Sequence, residues 1–255
     1  MDINKIKNRY FIQLAFKGNR YHGWQLQPNA KTVQEELNNA LSTLLKEDIE
    51  TVGAGRTDAG VHARFYVAHF DSVREELARN DRFIYQLNGL LPDDIAVHAI
   101  TPVPHTAHAR YDALSRTYEY VITTQKDPFN LELAYFYQNN LDVTLMNRAC
   151  RIIKHYRDFA SFSKVNTDVK TFHCNIMDAR WTQENHRYTF SIKADRFLRN
   201  MVRAIVGTLL DVGQQKTDLE KFRQIIETRD RSVAGRSVPA HGLFLVDIKY
   251  PAHIL

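Results

Sequence analysis

A chain of 255 residues that is 44% hydrophobic and 25% charged, with only 10 glycines and 7 prolines, has the composition of a folded enzyme-sized protein and excludes a disordered or collagen-like one. Its formal charge of +5 raises the expectation of a polyanionic partner, because lysines and arginines that neutralise phosphates release condensed counterions; charge alone goes no further. Two widely separated cysteines fit no disulfide framework, no stretch is long enough to span a bilayer, and Met1 to Lys7 lead into polar-interrupted sequence without an apolar export core, so a cytoplasmic location is expected.

Tyr10, Ile12, Leu14 and Phe16 alternate with more mixed neighbours and predict a half-buried strand. Val33, Leu37, Leu41 and Leu44 then fall at helical spacing, with Thr32 placed as the N-cap. The run Val52-Gly53-Ala54-Gly55-Arg56-Thr57-Asp58-Ala59-Gly60-Val61-His62 sets one carboxylate among three glycines and beside an arginine. The apolar stretch from Phe65 to Phe70 follows as a strand, so Asp58 is expected to project from a sharp bend held by a sheet. Two phosphate-loop readings fail on spacing. A GxGxxG fingerprint from Gly53 needs glycine where Asp58 stands, and a P-loop from Gly55 needs lysine where Val61 stands, so a nucleotide-binding enzyme is disfavoured. From the loop alone, a solvated aspartate in a plain turn and a catalytic aspartate are both open.

Pro102-Val103-Pro104 and the polar stretch to Ala113 mark the expected border between two units, 1–103 and 104–255. Beyond it, Tyr118, Tyr120 and Ile122 alternate as a strand, and Met146, Ala149, Ile153 and Tyr156 share a helical face that Cys150 joins as a small hydrophobe. Tyr188, Phe190, Ile192 and Ala194 alternate with polar neighbours, and Val202, Ile205, Leu209 and Val212 mark a third helix. On that helix Arg199 and Arg203 share a face beside the apolar stripe, where one can meet a site, although solvated arginines are the ordinary case. Each half thus offers strand, helix, strands and helix, which suggests two related α+β units with sheets joined edge to edge. His105 with His108, and His173 beside Cys174, complete no ligand set, so no metal is expected. His62, at the end of the glycine-rich run, is better placed for contacts within the loop or with a polyanionic partner than for general base work.

Several blocks in order along the chain carry a resemblance. GRTDAGVHA, from Gly55 to Ala63, resembles the signature of the tRNA pseudouridine synthases of the A family. Tyr21-His22-Gly23-Trp24-Gln25-Leu26-Gln27-Pro28, Thr32-Val33-Gln34-Glu35-Glu36-Leu37 and Arg116-Thr117-Tyr118-Glu119-Tyr120 resemble further blocks of that family. So do Phe197-Leu198-Arg199-Asn200-Met201-Val202-Arg203, the Val206 to Gly213 run, Ala240-His241-Gly242-Leu243-Phe244-Leu245 and Tyr250-Pro251. Ser163 to Cys174 fits the pattern less tightly.

The resemblance implies an α+β fold of two ferredoxin-like or RRM-like units joined into a largely antiparallel central sheet flanked by helices. The N-terminal unit would carry the aspartate loop, and the C-terminal unit the base-stacking tyrosine and the partner arginine. It implies isomerisation of uridine to pseudouridine at positions 38, 39 and 40 in the tRNA anticodon stem-loop, by a homodimer with no cofactor, no metal and no membrane. Asp58 would be the catalytic carboxylate and Arg203 its charge partner, keeping it ionised. Tyr118 would stack on the target base. Arg56 would meet a phosphate or help fill the place of the extruded nucleotide, and Leu243 would line the wall of the site. Attack at C1′, addition to the uracil ring and an elimination route all use an ionised aspartate and stay open. A non-catalytic RNA-binding module of the same fold is the alternative. The presence of Asp58, Arg203 and Tyr118 together argues against it, because binding alone requires no such set.

Overall fold

The computed structural model describes residues 7–78, 80–165 and 169–254; the start of the chain read above, 1–6, and the stretch 166–168 inside the segment 163–174 lie outside the described residues. In chain order the elements are β1 (Asn8–Phe16), α1 (Val33–Leu45), β2 (Val52–Gly53), β3 (His62–Ser72), α2 (Asp81–Leu90), β4 (Ile95–Val103) and β5 (Ser115–Thr123). There follow β6 (Tyr135–Phe136), α3 (Val143–Ile153), β7 (Ile176–Glu184), β8 (Arg187–Ala194), α4 (Met201–Gly213), α5 (Leu219–Thr228) and β9 (Leu243–Lys249). No helix among the described residues is long and apolar enough to cross a membrane.

Two compact units emerge, Met1–Leu114 with Leu245–Leu255, and Ser115–Phe244. In the first, the strand order is β4-β1-β3-β9, with β2 also paired to β3. β1 lies between β4 and β3, antiparallel to both, with Tyr10 opposite Phe70 on one side and Pro102 on the other. Its Tyr10, Phe11, Ile12, Leu14 and Phe16 are all buried. α1 starts where Thr32 Oγ1 accepts the N–H of Glu35 at 3.3 Å, and it buries Val33, Leu37, Ala40, Leu41 and Leu45, the stripe that its spacing predicts shifted by one residue at its end.

The border between units differs from the one expected at 103/104. Residues 104–114 look like a linker in sequence, yet their backbone is bonded into the first unit. Arg9 Nη1 donates to Ala107 O at 3.1 Å, the N–H of Ala109 donates to His69 Nδ1 at 3.1 Å, and the N–H of Leu114 donates to Lys249 O at 2.8 Å. Polar composition marked a surface loop rather than a hinge.

In the second unit β8 lies between β5 and β7, antiparallel to both, and β6 runs parallel to β5. Tyr118 faces Ile192 across the ladder, and Tyr120 faces Phe190. α3 packs on β7 and on α4 through Met146, Ala149, Cys150, Ile152 and Ile153, and burial pushes the Cys150 thiol up to about 12, so it stays a neutral packing group. α4 is buried along almost its whole length, with Arg203 half-buried among apolar neighbours.

Candidate active site

The loop carrying Asp58 leaves β2, enters β3 and is fixed from behind at each stage. The N–H of Ala54 donates to Val67 O at 2.8 Å, which ties the start of the loop to β3. The Tyr66 hydroxyl donates to Gly55 O, and the Tyr66 ring stacks on Trp24 with 4.2 Å between centroids. These two side chains approach so closely that a Cβ on residue 53 would lie 2.1 Å from the Tyr66 hydroxyl and 2.4 Å from Trp24 Nε1; only glycine fits there. Beyond the carboxylate, the N–H of Val61 donates to Asp58 O at 3.1 Å, and the N–H of Gly60 donates to Tyr21 O at 3.3 Å.

Gly23 supplies the backing. Its φ of +93° is a conformation that side chains disfavour, and a Cβ on it would fall 2.2 Å from Thr57 O and 3.3 Å from the Asp58 carbonyl carbon. The Tyr21 to Trp24 block is therefore the rear wall of the aspartate loop. His62 belongs to the same wall: it is buried, and its Nδ1 accepts the N–H of Gly18 at 3.1 Å. Of the two roles expected for His62, the structure gives it the loop contact. Among the described residues, nothing lies within 4 Å of where a Cβ on Gly55 would stand. Asp58 is half-buried there and Arg56 exposed. Thr57 Oγ1, between them, is buried without a hydrogen-bond partner among the described residues.

The second unit holds Tyr118, Arg203 and Leu243. Tyr118 is half-buried on β5 and meets Phe197 edge-on, with centroids 5.1 Å apart and planes at 88°. Tyr120, two residues on, is the core tyrosine: fully buried, its hydroxyl donates to Pro239 O at 2.8 Å, and burial raises its pKa, so it remains a donor. Arg203 is held by a strap, residues 231–239, that lies along α4. Its Nε donates to Val238 O at 2.8 Å, and the N–H of Val238 returns to Arg203 O at 3.2 Å.

The strap is itself tied down. Arg231 donates to Ala234 O at 3.3 Å, Gly235 O at 3.1 Å and Ser237 Oγ at 2.9 Å, while Asn200 Nδ2 donates to Ser237 Oγ at 2.6 Å. The N–H of Gly235 donates to Thr208 Oγ1 at 2.9 Å. Past the strap, Gly242 sits against the Tyr120 ring, 2.8 Å from where its Cβ would stand, and Leu243 follows, buried, at the start of β9. Arg203 and Leu243 are thus joined through Val238 to Gly242 and Tyr120, on the strand that carries Tyr118.

Tyr66, Arg231 and Ser237 drew no role from the sequence, and Trp24 and Asn200 appeared there only inside quoted blocks, with no role of their own. Only the glycine- and proline-containing run from Gly235 to Pro239 hinted at a fixed backbone. Arg199 is exposed, and its carbonyl accepts the N–H of Lys164 at 3.0 Å. Among the described residues, no group of three or more His, Cys, Asp or Glu is placed to hold a metal ion. His108 Nδ1 instead accepts backbone N–H groups of its own loop, and Cys174 is buried with its thiol pushed up to about 12.

A family model described as tRNA pseudouridine synthase matches residues 13–112 and 154–251. Arg56, Asp58, Arg203 and Leu243 fall inside the matched segments, and Tyr118 falls between them. The protein named tRNA pseudouridine synthase A from Parabacteroides distasonis is 55% identical over 246 residues, which cover 96% of this chain and 97% of that protein. Its namesake from Bacteroides fragilis is 55% identical over 247 residues, 96% of this chain and 98% of that one. The Bacillus subtilis protein of the same name is 39% identical over 241 residues, 93% of this chain and 97% of that one. The chain belongs to the tRNA pseudouridine synthase family.

Proposed function

We propose that this chain isomerises uridine to pseudouridine on the 3′ side of the tRNA anticodon arm, as a cytoplasmic homodimer, with Asp58 as the reacting carboxylate. The observation that carries the reading is the way Asp58 is held: a half-buried carboxylate on a loop whose backbone is clamped by Tyr66, Tyr21 and Gly23. A plain turn with a solvated aspartate needs no such wall. A group fixed before substrate arrives loses little entropy on reaching the reactive geometry.

The uracil is first turned out of its stack, at a cost of a few kcal/mol that phosphate contacts offset. Tyr118 holds the ring by stacking, and Leu243 lines the apolar wall beside it. The N1–C1′ bond breaks with the assistance of Asp58, by attack at C1′, addition to the ring or proton removal from the ribose. The detached uracil rotates, C5 bonds to C1′, and the proton on C5 is released as N1 gains one. No redox step or group donor is needed. Arg203, fixed by the strap through Val238, serves as the charge partner that orients Asp58. Arg56, exposed two residues from Asp58, meets a phosphate or fills the gap left by the extruded nucleotide.

Asp58→Asn keeps the shape and removes the charge. Single-turnover release of tritium from C5-labelled uridine in tRNA should vanish in this variant, while filter binding of tRNA and thermal unfolding stay as in the parent. Substantial release by the purified variant refutes the assignment, and binding without release by the parent protein identifies a non-catalytic module. Mapping of pseudouridine in tRNA from cells lacking the chain tests the positions modified, and sedimentation tests the dimer.

A further inference from the structure

The loop from Pro104 to Leu114 ends in an exposed ring that the reaction described above does not use. Its backbone is bonded at nearly every step. His108 Nδ1 accepts the N–H groups of Arg110 at 3.1 Å and Tyr111 at 3.3 Å, and Asp112 Oδ2 accepts the N–H of His108 at 2.7 Å. The sheet anchors it through Ala109, whose N–H donates to His69 Nδ1 at 3.1 Å and whose carbonyl accepts from the Tyr250 hydroxyl at 2.6 Å. A side chain carried on such a loop is in place before any partner arrives, so binding to it loses little conformational entropy.

Aromatic rings step outward through this loop from core to solvent. Phe11 and His69 stack at 6.3 Å, His69 and His108 lie 4.7 Å apart, and His108 and Tyr111 4.3 Å apart. Exposure runs from 0% at Phe11 and 5% at His69 to 74% at Tyr111, the outermost ring. The Arg110 guanidinium lies 5.6 Å from the Tyr111 ring centroid. A fixed exposed ring with an arginine beside it matches the way proteins hold unpaired nucleobases, because every base offers a π face and the guanidinium attracts both ring and phosphate.

The surroundings favour RNA over a protein partner. A stable protein interface needs on the order of 800 Å² from each side with an apolar centre, whereas Tyr111 stands between Arg110 and the polar His108 and Asp112. The geometry points to Tyr111, with Arg110 beside it, as a second stacking platform, taking an unpaired base of the RNA other than the uridine being converted; the inference rests on the reading of this chain as a tRNA-modifying enzyme.

The test uses the full chain, an unmodified tRNA transcript, and the variants Tyr111→Phe, Tyr111→Leu and Tyr111→Ala. Stacking on one base is lost with the ring, so Tyr111→Leu and Tyr111→Ala should raise the Kd in filter binding by about 5- to 100-fold, while Tyr111→Phe stays within about twofold of the parent. The slope of log Kd against log salt should stay unchanged in all three, because no charge is removed. At saturating enzyme the rate of tritium release should also be unchanged, which separates this platform from Tyr118. Parent-like affinity in a folded Tyr111→Leu variant overturns the proposal, as does a fall in oligomeric state on sedimentation, which would make the ring a contact between copies. Failure of the underlying reading shows separately, as absent tritium release from the parent protein.

Discussion

Replacing Gly207 by alanine sets a gain in helix propensity against a collision, and the two have opposite signs. In the middle of α4 the substitution would by itself favour the helix by about 1 kcal/mol. The new methyl, however, would fall 1.7 Å from the Arg236 carbonyl oxygen, against about 3.4 Å for an ordinary contact, and the obstacle is backbone rather than a movable side chain. The strap must lift by about as much again as the gap it now leaves. Such a shift breaks the bond from Arg203 Nε to Val238 O at 2.8 Å, its return at 3.2 Å and the bond from Gly235 to Thr208 at 2.9 Å. At about 1 kcal/mol each, set against the propensity gain, the variant should be destabilised by about 2 kcal/mol, which lowers Tm by about 4–8 °C for a chain of this length. With Arg203 released from Val238, single-turnover tritium release should fall at least about tenfold, the rate equivalent of about 1.4 kcal/mol, and tRNA affinity should hold. Thermal unfolding and the release assay on one preparation decide the matter. A Tm at or above that of the parent, with full turnover, would refute the claim that the strap positions Arg203.

Gly23→Ala should displace the Asp58 loop, since its Cβ would stand 2.2 Å from Thr57 O at a φ of +93°; a drop of more than about tenfold in turnover is expected, and parent-like turnover would show that the rear wall is dispensable. Tyr118→Phe should keep most activity and Tyr118→Leu lose it in single-turnover assays, because stacking needs the ring alone; the loss of activity in a folded Tyr118→Phe protein would assign chemistry to the hydroxyl. Burial, and then the nearby Arg9 guanidinium, push His69 down to about 4, so the unfolded chain binds its proton first as pH falls. That contribution to stability is complete above the unfolded value of about 6.5 and is lost progressively down to about pH 4, on the order of 2 kcal/mol. Urea unfolding across this range should show the slope in the parent and a flatter one in His69→Gln.

Elements with a clean period were legible, and those with a broken one were not. Tyr188, Phe190, Ile192 and Ala194 alternate because β8 is regular along its length. Its neighbour β7 buries Ile176, then Ala179 and Trp181, because a register shift between Ile176 and Asp178 changes the parity of the strand. β4 does the same, with Ile95 and Val97 buried but then Ile100, across the shift where its partner β1 passes from Gln13 to Leu14. α2 buries only Phe83 and Leu87, too few to make a stripe. At the site, the Asp58 loop announced itself by its glycines, which are local. The parts that hold it are distant in sequence: Trp24 and Tyr66 matter because they meet at Gly53, and Ser237 because it lies between Asn200 and Arg231. Spacing along the chain carries no trace of such meetings, and the fully buried Tyr120 differs from half-buried Tyr118 only once the Pro239 carbonyl is seen above it.

β9 has a consequence for synthesis. The first unit takes its last strand from residues after Phe244, beyond the whole of the second unit, and Tyr250 then pins Ala109 through its hydroxyl. A ribosome therefore releases the Asp58 loop early, on a sheet that still lacks a strand, and the sheet closes only when the carboxyl-terminal residues leave the exit tunnel. Until then the β3 edge away from β1 is paired only by the short β2, at Ala68 and His69, and its remainder stands open, the condition under which strands seek the wrong partner. Truncation shortly before Leu245 would leave every residue of the proposed site in the chain and still strip the aspartate loop of its completed support.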